Sequence, residues 1–189
     1  MIIEGIVTTM DEDEDIHIAA MGATVDVSFT RLVLRPFADT ETFKNMERTN
    51  CGVFHVTDNA NMIAHIAVNE HFDTGRYRRS SVVPGFLLPS CCRAYEFLGT
   101  DSATITDGRA SFTADVVEAH HFKDFLGFNR AKHAILEAAI LATRFHLLNL
   151  DDVAEEFRKF QIIVDKTGTI HDLDTMSMLQ RKLNEARSK

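Results

Sequence analysis

The chain has 189 residues, 45% of them apolar, enough to bury one ordinary core as a single domain or a domain with an appendage. Its net charge of −8 argues against a general binder of nucleic acid or anionic membrane, which selects for excess Lys and Arg, so an anionic ligand needs a local basic site. No apolar run approaches the ~18 residues of a transmembrane helix, and the start MIIEGIVTTMDEDED has no basic stretch leading into an apolar core, so the expected location is cytoplasmic.

Up to about residue 128 the chain consists mainly of short β-rich runs separated by turn signals. Strands are predicted over 3–10 and 16–25, joined by the acidic run Asp11–Asp15. That run reads as a solvated hairpin loop. A calcium loop needs more regular oxygen spacing and a turn glycine. A third strand is expected over 31–37.

Asp39 and Thr40 are candidate N-caps for a helix over 40–49, and Asn50 and Gly52 are its stop signals. The stretch RPFADTETFKNMERTNCGVFHVTD thereby gathers Arg35, Thr40, Thr42, Asn45 and Arg48 at one helix start. Unpaired N–H groups and a partial positive charge there, beside hydroxyls, an amide and guanidiniums, suit a phosphate.

A strand over 51–57 places His55 among apolar neighbours, as a satisfied sheet histidine or a ligand contact. A helix over 59–72 follows. The loop GRYRRSS, with Arg76, Tyr77, Arg78 and Arg79, reads as solvated, or as a site for a substrate anion or a dinucleotide phosphate. Strands are predicted over 93–99 and 110–119, the second after an Asp107-Gly108 hairpin turn. His120 and His121 point to opposite sides of a strand, poor geometry for zinc.

From residue 129 the pattern is helical: NRAKHAILEAAILATRFHLL, LDDVAEEFRKFQIIVDKTG and LDTMSMLQRKLNEARSK, with Gly168 ending the second. At ~100° per residue, Arg130, His133, Glu137 and Arg144 share one stripe and Ala131, Ala134, Ala138 and Ala142 another. The polar stripe is either a ladder of paired charges or, through Asn129, Arg130 and Lys132 at the helix start, a second anion-binding pole. The domain organisation expected is a core over 1–128 and a helical extension over 129–189.

Cys51, Cys91 and Cys92 form no disulfide framework and read as buried thiols. Met10, Met21, Met46 and Met62 fill core gaps or line a flat apolar cavity. The nine glycines include no G-x-G, and no G-x-S-x-G, C-x-x-C or H-E-x-x-H occurs, so the common dinucleotide, P-loop, hydrolase-elbow and zinc signatures are missing.

EGIVTTMDED, MGATVD, the Arg35–Asp58 stretch, VPGFLLPSCCRAYEF and GFNRAKHAILEAAILATRFHLL together resemble the FMN-binding split-barrel superfamily of flavin reductase-like and pyridoxamine-phosphate oxidase-like proteins, and within it a family of uncharacterised proteins. The resemblance covers most of residues 1–148. It implies an α+β fold, an antiparallel six-stranded split β-barrel with C-terminal helices, and a homodimer with FMN near the subunit interface. Carried over, Arg35, Thr40, Thr42 and Asn45 hold the FMN phosphate, and Met21, Gly22 and Ala23 run beside the flavin ring. Asn129, Arg130 and Lys132 contact the phosphate or the polar flavin edge. The function implied is an FMN-dependent oxidoreductase using NAD(P)H or another donor, with no catalytic side chain nominated. The alternatives are an FMN carrier or regulatory module, or a binder of another phosphorylated cofactor.

Overall fold

The computed structural model describes residues 1–101 and 103–188, and the chain divides into two units: Met1–Thr57 with Asp73–Phe125, and Asp58–Phe72 with Leu126–Lys189. The described strands are β1 (Ile2–Met10), β2 (Ile16–Val25), β3 (Arg31–Leu34), β4 (Cys51–Val56), β5 (Arg78–Arg79), β6 (Phe86–Leu87), β7 (Arg93–Gly99), β8 (Thr104–Thr106) and β9 (Arg109–His121). The helices are α1 (Glu41–Thr49), α2 (Ala60–Ala67), α3 (Arg130–Ala142), α4 (Leu150–Thr167) and α5 (Ile170–Arg187).

Strict alternation closes the first unit. Ala23 and Val25, Leu32 and Leu34, Phe54 and Val56, Tyr95 and Phe97, and Phe112 and Ala114 all turn into one core, as a period of two requires. The antiparallel order is β3, β2, β1, β4, β7, β9, and β9 pairs again with β3, Leu34 opposite Phe112. The result is a closed six-stranded barrel in an α+β chain, which leaves these strands no unpaired edge. Gly5 makes the filling possible. A Cβ there would stand 2.4 Å from the His55 carbonyl and 2.7 Å from Cζ of Phe54, so the Phe54 ring takes the space a side chain would use.

All six strands expected from the sequence are present, those over 16–25 and 93–99 with the expected bounds and the other four with altered ends. β3 stops at Leu34, before Pro36, which has no N–H for the ladder; Phe37 makes only an isolated bridge to Arg109. The Asp107-Gly108 turn joins β8 to β9 with φ of 52° and 73°, the left-handed pair a two-residue hairpin needs. The short strands β5, β6 and β8 had no sequence signal.

In the second unit the small face of α3, with Ala131, Ala134 and Ala138 fully buried, packs in one core with Phe157 and Val164 of α4 and Met176, Leu179 and Leu183 of α5. Helix α2 belongs to this unit and is shorter than the expected 59–72: Asn59 caps it, and Asn69 turns left-handed at φ 56°. α5 begins with a capping box in which Thr169 and Asp172 satisfy each other's backbone N–H groups. Among the described residues no helix is long and apolar enough to cross a membrane.

Candidate functional site

Helix α1 sits where the chain leaves β3. The Thr40 hydroxyl accepts the Phe43 N–H at 3.4 Å and donates to the Phe37 carbonyl at 2.7 Å. The N–H groups of Glu41 and Thr42 lie too early in the helix for an intrahelical carbonyl. Arg35, just before this turn, is exposed and has no ion pair among the described residues. Thr40 thus caps the helix, and Arg35 precedes it along the chain.

Thr42 and Asn45, three apart, lie instead on the face that α1 buries. Oγ1 of Thr42 is 3.0 Å from Nε2 of His17 on β2, and Nδ2 of Asn45 donates to Oγ1 of Thr9 on β1 at 3.1 Å. Arg48, one turn further on, donates to the Met10 carbonyl at 2.6 Å. These bonds pin the helix to the ends of β1 and β2. Burial lowers the His17 pKa from its ordinary value, while Glu41 and Asp11 pull it back.

Met21, Gly22 and Ala23 follow His17 along β2. Met21 and Ala23 face the barrel core. Gly22 faces the other way, and a Cβ on it would come within 3.0 Å of Ile2 and Glu4 side-chain atoms.

In the second unit, Asn129 is the N-cap of α3. Its Oδ1 accepts the Lys132 N–H and its Nδ2 donates to the Thr167 carbonyl, both at 3.1 Å. Lys132 Nζ lies 3.7 Å from the buried Asp58 carboxylate. Arg130 is exposed and has no ion pair among the described residues.

A further polar centre escaped the sequence reading. Glu96, on β7 and fully buried, accepts the backbone N–H groups of Ser81, Val82 and Val83, the Ser81 hydroxyl and Nε2 of His120. Burial alone would raise its pKa; the hydrogen bonds outweigh that and hold it at about 2. His120 and His121 go to different carboxylates, Glu96 and Asp124. His55 is the satisfied sheet histidine: Nδ1 lies 3.3 Å from the Ile6 carbonyl and Nε2 accepts the Leu88 N–H at 3.1 Å. The three cysteines are buried thiols outside any disulfide, and Met46 and Met62 are almost wholly buried.

Residues 3–122 match the family described as protein of unknown function (DUF447) N-terminal domain, and residues 129–181 match protein of unknown function (DUF447). The chain belongs to the DUF447 family. It matches no curated protein sequence. This DUF447 chain is similar to an FMN-bound protein of the same family from Methanosarcina mazei, with 20% identity, TM-score 0.78, and 96% of this chain and 94% of that one covered. It is also similar to the styrene monooxygenase flavin reductase from Pseudomonas putida S12, at 10% identity and TM-score 0.54 over 65% and 83% of the two chains. A flavoredoxin from Methanosarcina acetivorans follows at 8% identity and TM-score 0.53 over 64% and 69%. The DUF447 barrel therefore has the split-barrel architecture.

Proposed function

We propose that this DUF447 protein binds FMN and acts as a flavin reductase-like oxidoreductase, taking electrons from NAD(P)H or another donor. The observation that carries the reading is the likeness, over 96% of the chain, to a family member with FMN bound. The residues before and at the start of α1 suit a phosphate: an exposed Arg35 with no ion pair among the described residues and the first-turn N–H groups, on a helix capped by Thr40 and held in place by Thr42 and Asn45. Met21, Gly22 and Ala23 are proposed to run beside the ring, and Asn129, Arg130 and Lys132 to form the second polar cofactor contact. When bound, FMN supplies a ring that accepts a hydride, and the chain supplies binding, orientation and charge, so no protein nucleophile is needed. A symmetric homodimer, in the cytoplasm, would cover the flavin that one barrel leaves half exposed.

A second reading is an FMN carrier or regulatory module without turnover of its own. One experiment decides. The visible spectrum of the purified protein is recorded during FMN titration, and NADH or NADPH is then added without oxygen. Bleaching far faster than that of free flavin supports the reductase. Binding without bleaching supports the carrier, and a protein that never binds FMN sinks both.

A further inference from the structure

The second unit holds a cavity lined wholly by its own residues. It measures about 360 Å³ and lies between α2 and the first turns of α5. Asn61 and His65, four apart on α2, line it from one side, and His171 and Asp174, three apart on α5, line it from the other. Each helix therefore gives one polar pair to the same space. The Phe72 ring completes the lining, tilted against the His65 ring with the centroids 5.4 Å apart.

This lining is rich in acceptors and short of donors. Nδ2 of Asn61 donates to the Asp172 carboxylate at 2.9 Å, which fixes the amide and makes Oδ1 the atom left over. That oxygen is buried and has no partner among the described residues. Nδ1 of His65 lies 2.8 Å from the Asn61 carbonyl, which can only accept, so Nδ1 carries the hydrogen and Nε2 presents a lone pair in the neutral ring. Asp174 is exposed and has no ion pair or hydrogen bond among the described residues. The Thr175 hydroxyl is already spent on the His171 carbonyl at 3.0 Å.

Two other ligand classes fit poorly. An anion finds little at the start of α5, because Thr169 and Asp172 satisfy each other's backbone N–H groups in the capping box. Among the described residues no group of three His, Cys, Asp or Glu could hold a metal ion.

We infer that this cavity binds a small planar organic cation, an amidinium or guanidinium whose N–H groups reach Asn61 Oδ1 and His65 Nε2, whose charge meets Asp174 and whose flat body lies against Phe72. Such a cation carries several donors and no acceptor, the complement of this lining. A carboxylate without an ion pair and an aromatic face both favour its charge. A buried acceptor without a donor is a cost that a bound N–H recovers, and the volume is that of a small-molecule site. The inference does not depend on the flavin reading.

The test uses the full chain, with benzamidine as the cationic probe and benzamide as its neutral near-isostere, each titrated by calorimetry and by NMR of the histidine rings. Benzamidine is expected to bind about tenfold or more tightly than benzamide and to shift the His65 ring signals. The variant Asp174→Asn, at an exposed position, should bring the ratio near one with the unfolding midpoint nearly unchanged. Absence of benzamidine binding overturns the inference, as do equal binding of the two probes and a preference that survives in the variant. Binding that leaves the His65 signals unmoved places the probe elsewhere and overturns it too.

Discussion

Nε2 of His120 lies 2.7 Å from Oε1 of Glu96, a carboxylate without exposed surface that also gathers three consecutive backbone N–H groups from the loop between β5 and β6. The pair ties β7 and β9 to that loop, here called the strap. A buried carboxylate is tolerated here because its lone pairs are taken up by donors.

Replacing Glu96 with Gln puts an NH2 group where an acceptor stood and leaves some of those N–H groups unmatched. The expected loss is about 2–4 kcal/mol in urea unfolding, with limited proteolysis moving into residues 73–85. An unchanged midpoint and digestion pattern would show that the strap is held by other means. The Glu96 pKa of about 2 lies below its ordinary 4.5, so this contribution is complete above pH 4.5 and fades as the pH falls from there toward 2.

His55 makes a separate, earlier acid limb. Burial lowers its pKa from 6.5 to about 4. Between those values the unfolded chain binds the proton that the folded chain refuses, so stability declines as the pH falls from 6.5 to 4, by roughly 3 kcal/mol in all. Unfolding free energies measured at pH 7, 6, 5 and 4 should show that slope. The variant His55→Leu should lose the slope at the expense of about 2 kcal/mol or more at pH 7, from stranding the Leu88 N–H and the Ile6 carbonyl.

Gly5→Ala is predicted to destabilise the barrel by about 1–3 kcal/mol, since the new methyl meets both the Phe54 ring and the His55 carbonyl. The denaturant midpoint should fall with the slope unchanged. Adding Phe54→Leu should recover part of the loss, because it removes the ring but not the carbonyl.

Before α1, the variant Arg35→Ala is expected to weaken FMN by about tenfold or more while leaving riboflavin nearly unaffected. Riboflavin has the same ring without the phosphate. Equal losses for the two ligands would place the phosphate elsewhere.

The barrel strands were legible because alternation is a local property. Leu32 and Leu34, or Phe112 and Ala114, declare their inward face within four residues. The α1 boundaries were legible for a similar reason, a capping Thr40 at one end and a left-handed Asn50 at the other. The interior turn of Thr42 and Asn45 was not. Their helix spacing puts them on a common face, but only the ends of β1 and β2, brought in by barrel closure, show that this face is buried against His17 and Thr9. Glu96 was hidden differently. In RAYEFLG it passes for an outward polar position, and the irregular register between Glu96 and Phe97 together with the strap above it makes it the most heavily bonded carboxylate described.

By itself, then, the sequence determined the element types, the turn chemistry at Asp107-Gly108, the alanine face of α3 and the family likeness, all carried by residues close along the chain. Tertiary structure alone decided which polar groups stay exposed to solvent and which face one another. Arg35 stayed exposed, Thr42 and Asn45 turned inward, and Glu96 was buried among donors. Those outcomes depend on hydrogen bonds and packing between residues 13 to 36 positions apart, which no local pattern encodes.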